Sequence, residues 1–273
     1  MGREEMHEHQ LEDVWRRYLT TGEFKEQRRQ RRLFKALPGT PRCKNCYAPF
    51  KGAGSLVVRL FYGKEPSNLN PRICNICDRF AKEHQGGAEI ELSLLFADVR
   101  GSTQLSESMS PREFSRLIDR FYKTATDVMV RSDALIDKIA GDQVAGMYVP
   151  AFTGEAHASA AIDAAREILK DTGHDSPDGP WIPLGVGVHT GVAFVGAVGS
   201  KDGAMDITVL GEAPNIAARL CSSAGVGEIL ISAAARESAG LNKGILESRS
   251  LDLKGISRPM EVYALSPEAA AIE

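Results

Sequence analysis

Apolar and polar positions change texture twice along the chain. From Glu4 to Tyr18 and from Glu23 to Ala36, strong helix formers dominate and Thr20-Thr21-Gly22 interrupts them. Two helices are therefore predicted, the second strongly basic. From Pro38 to Gly87, short apolar pieces are punctuated by Pro, Gly and Cys, as expected of a small metal-stapled module without a core of its own. His84-Gln85-Gly86-Gly87 reads as a linker. After Ala88 the pattern becomes regular. It predicts a strand near Glu91 to Val99, a helix near Pro111 to Arg131 started by Ser110 and Pro111, and a strand pair around Gly141-Asp142. A helix near Glu155 to Lys170 and a polar loop from Asp171 to Pro183 follow. The run Leu184 to Val198 contains Gly191 and is expected to fold back as a hairpin. A strand at Ile207 to Leu210, a helix at Ala213 to Ser223 and strands near Glu228 to Ile231, Leu246 to Leu253 and Met260 to Leu265 complete the pattern. This β-α-β-β-α-β order predicts an α+β fold, a ferredoxin-like antiparallel sheet with helices on one face.

The 273 residues suit one main domain with a smaller amino-terminal attachment. The expected divisions are basic helices over 1–37, a cysteine module over 38–87, a main domain over 88–268 and a tail over 269–273. The net charge of −3 is uneven: Lys25 to Lys35 carries six basic residues against one Glu, which leaves −8 elsewhere. The main domain is thus no general polyanion binder. Arg28, Arg29, Arg31 and Arg32 are dense enough to contact nucleic-acid phosphates, but no aromatic residues interleave them, so a solvated or dimer-contact face competes with that reading. No apolar stretch approaches the roughly 20 residues that span a bilayer, and the start Met1-Gly2-Arg3-Glu4-Glu5 lacks a signal peptide's apolar region. No membrane span is expected, and the protein is expected to be cytoplasmic.

Two acidic residues stand out. Asp98 ends the apolar run from Leu94 and precedes Arg100-Gly101-Ser102-Thr103; Asp142 sits in the tight turn of Lys138-Ile139-Ala140-Gly141-Asp142. A carboxylate at a strand's end, before a turn rich in N–H groups, suits a divalent cation and a nucleotide's phosphates. Each Asp also has a plain reading as a turn or cap residue. Farther on, Asn215 and Arg219 are four apart behind Pro214 on a predicted helix and project from one face. A guanidinium beside an amide suits a pentavalent phosphorus and the ribose near it, although a solvated stripe has the same spacing. Thr208 and Lys138 offer groups able to read a base edge, or are an ordinary β-former and an exposed charge.

Taken together and in order, these segments resemble the class III nucleotidyl cyclases, the adenylyl and guanylyl cyclase homology domain. The resemblance runs from about Ala88 to Leu265 and includes Gly185-Val186-Gly187-Val188-His189-Thr190-Gly191 and Leu253-Lys254-Gly255. It implies a head-to-tail homodimer with composite sites and ATP as substrate, converted to 3′,5′-cyclic AMP and pyrophosphate. By similarity, Asp98 and Asp142 hold two magnesium or manganese ions per site with the Val99 carbonyl assisting, and Gly101, Ser102 and Thr103 contact the phosphates. The other subunit supplies Lys138 and Thr208 to the purine, Asn215 to the ribose, Arg219 to the transition state and Lys254 to the terminal phosphates. Two metals promote in-line attack of the ribose 3′-oxygen on the α-phosphorus. Lys138 with Thr208 resembles the bacterial adenylyl type; a guanylyl or other nucleotide cyclase, or a non-catalytic nucleotide- or nucleic-acid-binding regulator, is the alternative. Two positions depart from the family pattern: Val192, where a basic residue can stand, and Pro214, where a β-branched residue is common.

Four of the five cysteines form two CxxC pairs, Cys43/Cys46 and Cys74/Cys77, separated by twenty-seven residues. In a reducing compartment this spacing argues for metal ligation and resembles a zinc ribbon. Structural zinc, an iron-sulfur cluster and unligated thiols are the three readings. Cys221 is expected to be a buried small residue and His84 an exposed linker residue. The glycines from Gly185 to Gly199 have the wrong spacing for a dinucleotide fingerprint and lie within strands.

Overall fold

The structure, a computed structural model, describes residues 3–21, 23–200, 202–242, 246–256 and 259–267. Gly22 of the helix break and the 269–273 tail lie outside the described residues. In chain order the elements are helices α1 (Arg3–Thr20), α2 (Lys25–Ala36), α3 (Ala53–Tyr62) and α4 (Asn75–Glu83), then strand β1 (Gly86–Val99). Next are α5 (Ser102–Ser108), α6 (Pro111–Arg131), β2 (Leu135–Ala140), β3 (Gln143–Tyr148), α7 (Pro150–Thr153) and α8 (His157–Asp171). The chain continues with β4 (Leu184–Gly199), β5 (Met205–Leu210), α9 (Glu212–Ser223), β6 (Ile229–Ser232), α10 (Ala233–Ser238), β7 (Glu247–Leu251) and β8 (Met260–Leu265).

The strands form one sheet in the order β2-β3-β1-β4-β6-β8-β7, with β5 paired to β4. The mixed α+β architecture agrees with the expected fold, with two corrections. The run Leu184 to Val198 lies within one strand of sixteen residues, β4, and is not a hairpin. Gly191 stays extended within it, and the reversal comes later, where Gly199 adopts a φ of 141° and Ser200 N–H reaches the Ala204 carbonyl. The sheet is also not wholly antiparallel, because β4 and β6 run parallel, with Val186 opposite Ile229.

Two compact units emerge, residues 1–90 with 150–152 and 193–210, and residues 91–149 with 153–192 and 211–273. In the first, Trp15, Leu19, Phe34, Tyr47, Val58 and Ile73 are fully buried, so the amino-terminal helices supply the core that the cysteine segment lacks. The indole of Trp15 donates to the His84 carbonyl at 2.8 Å, and the His84 ring stacks on Phe80 with centroids 4.5 Å apart. His84 is therefore a packed, half-buried residue capping α4, not an exposed linker. Gly86 and Gly87 likewise already belong to β1.

In the second unit, α6 starts as expected: Ser110 accepts from Glu113 N–H, Glu113 bonds back, and Pro111 occupies the first turn. Helix α9 presents Ile216 and Leu220 to a cluster with Leu230, Leu253 and Val262, against which Ile256 also packs. A β-carbon at Gly187 would lie 2.3 Å from Cys221 N and 2.5 Å from the Ala217 carbonyl oxygen. Glycine there lets α9 lie directly on β4.

Candidate active site and cysteine centre

The carboxylates come from chain reversal and strand pairing. Antiparallel pairing of β1 with β3 sets Asp98 opposite Gln143, and Val99 N–H donates to the Asp142 carbonyl at 3.0 Å. Gly141, at φ 63°, makes the turn that brings Asp142 to this end of the sheet. Burial pushes Asp98 up to about 6; Arg100 opposes that shift, and the hydrogen-bonded Asp142 carboxyl adds to it. A cation would relieve this crowding, and an all-oxygen donor set suits magnesium or manganese. Arg100, which the sequence reading did not single out, fixes the site. Its guanidinium pairs with the Asp98 carboxylate and donates to the Ser222 carbonyl at 3.1 Å, tying β1 to the end of α9. Gly101 takes a φ of 64° and caps α5, whose first residues are Ser102 and Thr103.

The residues expected to face the ribose and phosphates gather in a groove. Asn215, Arg219 and Lys254 line a groove of about 460 Å3 with Glu212, Gly255 and Ile256. Burial of the Ala213, Ile216, Ala217, Leu220 and Cys221 face leaves Asn215 and Arg219 on the exposed face of α9, as their spacing predicts. Packing of Ile256 against the Ile216 cluster brings the Lys254-Gly255 loop alongside. Asp98 and Asp142 are not part of the groove's lining. Lys138 is exposed on β2 next to a register irregularity between Ile136 and Lys138, and Thr208 is half-buried on β5. Cys221 is buried, as expected, and burial pushes its thiol up to about 12.

Two buried polar clusters of the second unit escaped the sequence reading. Ser93 Oγ lies 2.8 Å from His157 Nδ1 and 2.6 Å from Thr190 Oγ1. His189 Nδ1 meets Ser232 Oγ at 2.8 Å, and burial lowers this imidazole to about 4.

In the first unit, the four CxxC sulfurs converge, all within 4.8 Å of one another, with Cys46 and Cys74 Sγ 3.7 Å apart. A tetrahedral ion with bonds of about 2.3 Å to sulfur sets its ligands about 3.8 Å apart, so the thiols fit a single ion. Backbone N–H groups of Cys74 and Cys77 point at Cys43 and Cys74 sulfur, 3.3 and 3.5 Å away, as suits thiolates. Lys44, inside the first knuckle, pairs with Asp206 of β5, and Asn70 donates to the Met205 carbonyl at 2.9 Å. The arginines of α2 are not equivalent. Arg31 is buried, with its guanidinium 3.9 Å from the Tyr47 ring centroid and 4.2 Å from that of Phe152, and is no candidate for nucleic-acid phosphates.

The Adenylate and Guanylate cyclase catalytic domain family profile matches residues 87–267. An adenylate cyclase of Anabaena cylindrica is 31% identical over 135 residues, covering 47% of this chain and 26% of that protein. An uncharacterized Mycobacterium tuberculosis protein is 30% identical over 181 residues, covering 65% of this chain and 33% of its own length. The chain thus spans about a quarter to a third of the length of these curated relatives. The crystal structure of the adenylyl cyclase CyaB from P. aeruginosa superposes with a TM-score of 0.56 at 27% identity, covering 64% of this chain and 93% of that one. The guanylyl cyclase Cya2 gives a TM-score of 0.59 at 24% identity, over 66% and 93% of the two chains, a likeness of fold. Among the described residues no helix is long and apolar enough to cross a membrane. The chain belongs to the adenylyl and guanylyl cyclase catalytic-domain family and carries a class III nucleotidyl cyclase domain.

Proposed function

We propose that the protein converts ATP to 3′,5′-cyclic AMP and pyrophosphate at composite sites of a homodimer, with a structural zinc ion in its cysteine centre. The observation that carries the catalytic reading is the presence of two complementary residue sets, carboxylates at a strand end and an amide with two cations in a groove. Asp98 and Asp142 meet at the end of β1 and β3, while Asn215, Arg219 and Lys254 share a groove whose lining omits both carboxylates. Each set is half of a nucleotide site, and a twofold partner supplies the other half.

Asp98, Asp142 and the Val99 carbonyl would hold two magnesium or manganese ions, which when bound supply charge neutralisation at the reacting oxygens. Gly101, Ser102 and Thr103 position the triphosphate. From the partner, Lys138 and Thr208 orient the adenine, Asn215 fixes the ribose for in-line displacement, and Arg219 donates to oxygens that gain charge in the transition state. Lys254 binds the terminal phosphates and stabilises the departing pyrophosphate. The residue types at these two positions, Lys138 and Thr208, support adenine over guanine, since an acidic side chain at the lysine position would suit guanine's N–H groups.

At the cysteine centre, all four ligands are sulfur and none comes from the catalytic residues, so the ion acts as a cross-link. The sulfur spacing favours one ion over a multi-iron cluster, which would spread its ligands further.

The direct test incubates purified protein with each of the four ribonucleoside triphosphates and either magnesium or manganese, and identifies products by mass. Cyclic AMP and pyrophosphate are expected from ATP, and Asp98→Ala or Asp142→Ala should abolish both. A preference for another nucleotide overturns the ATP assignment, and turnover by the Asp variants overturns the site.

A further inference from the structure

The cysteine centre has an open side. Cys43 and Cys74 are buried, whereas Cys46 and Cys77 are partly exposed and line a cavity of about 230 Å3 within the first unit. Two cations line the same cavity: Arg31 is 3% exposed and Lys64 is 8% exposed, and no Asp or Glu is among the lining residues. Both are held in place. Lys64 Nζ lies 3.8 Å from Cys46 Sγ, and Arg31 is stacked against Tyr47 and Phe152 and donates to the Asn45 carbonyl. Asn45 also lines the cavity, and among the described residues neither the nitrogen nor the oxygen of its buried side-chain amide has a hydrogen-bond partner. Phe80, Phe152 and Ile207 give apolar wall.

An unsatisfied buried amide is costly unless compensated, and donors converging beside an apolar wall are how pockets select small ligands. We propose that this cavity binds a small organic carboxylate, its anionic head against Lys64, Arg31 and Asn45 and its apolar body against Phe80, Phe152 and Ile207. The volume suits a ligand of about ten non-hydrogen atoms, smaller than the drug-sized ligands of typical pockets. The inference rests on the metal-bound reading of the cysteines, because a bound divalent ion reduces the negative charge that four bare thiolates would turn towards an anion. Occupancy has a path to the proposed nucleotide site: Ile207 is followed by Thr208 on β5, and Asp206 of that strand pairs with Lys44 of the first knuckle.

The test titrates full-length protein of measured zinc content with benzoate, benzamide and benzylamine, followed by ligand-detected NMR. Benzoate should bind saturably with a Kd on the order of 1 mM, ordinary for so small a ligand, and the neutral and cationic analogues at least about tenfold more weakly. Lys64→Met should weaken benzoate about tenfold at unchanged zinc content, and Ile207→Trp, which fills the cavity, should abolish binding. Zinc-replete protein that does not bind benzoate, binds benzamide equally well, or keeps full affinity in both variants overturns the pocket while leaving the metal centre standing. Protein that carries no metal as purified overturns the metal centre and, with it, the inference that rests on it.

Discussion

Gly187 and His189, two residues apart on β4, show how single positions hold the catalytic face in place. The backbone of α9 comes so close to Gly187 that an added methyl group would meet main-chain atoms with no side chain able to yield. Gly187→Ala should therefore cost about 1–3 kcal/mol in urea unfolding. It should also lower turnover at saturating ATP, because Asn215 and Arg219 ride on α9; unchanged stability would contradict the packing. His189 is buried and neutral, its folded-state value about 4 against an ordinary 6.5. Between those limits the unfolded chain binds the proton and the folded one does not, so this contribution is complete above pH 6.5 and is lost as pH falls toward 4. Its size is on the order of 3 kcal/mol, and His157 and His174, also lowered by burial, act in the same direction. Unfolding midpoints at pH 7.5 and pH 5 should differ clearly in the parent and less in His189→Gln. Equal slopes would show that another group carries the acid sensitivity.

At the scale of elements, what could be read from the sequence depended on whether the cause was local. The Asp98 strand end, the Gly141-Asp142 turn and the Asn215/Arg219 face of α9 follow from periodicity and turn chemistry, and the structure contains each of them. The continuity of β4 through Gly191 could not be read, because a glycine's freedom to turn says nothing of neighbouring strands that hold it extended. Arg100 and His84 were missed or misread for a related reason: their partners Ser222 and Trp15 are distant in sequence. Helices α3 and α4 were hidden by the Pro, Gly and Cys punctuation around them. Helix α4 starts at Cys74, whose sulfur accepts from Cys77 N–H, so it is tied to the cysteine centre. Zinc analysis should give about one ion per chain. Chelation should lower the thermal midpoint by several degrees and reduce helix signal; an unchanged melting curve in metal-free protein would refute a structural ion.

Across the whole molecule, the cysteine module and strand β5 belong to one compact unit, although more than a hundred residues separate them in the chain. Asn70 and Lys44 hold Met205 and Asp206, so a chain beginning at Gly87 loses the partners of the strand that carries Thr208. Such a truncated protein should unfold at lower temperature and show a raised KM for ATP. Equal stability and kinetics in both forms would mean that the module is dispensable to the catalytic unit.

Complementation tests the central claim most directly. Asp98→Ala and Arg219→Ala proteins, each inactive alone, are mixed in equal amounts, allowed to exchange subunits and assayed for cyclic AMP. Half of the dimers are then mixed and each rebuilds one of two sites, so about a quarter of the parent activity should return. No recovery despite demonstrated exchange, or full activity in either variant alone, would contradict a site shared between two copies of this chain.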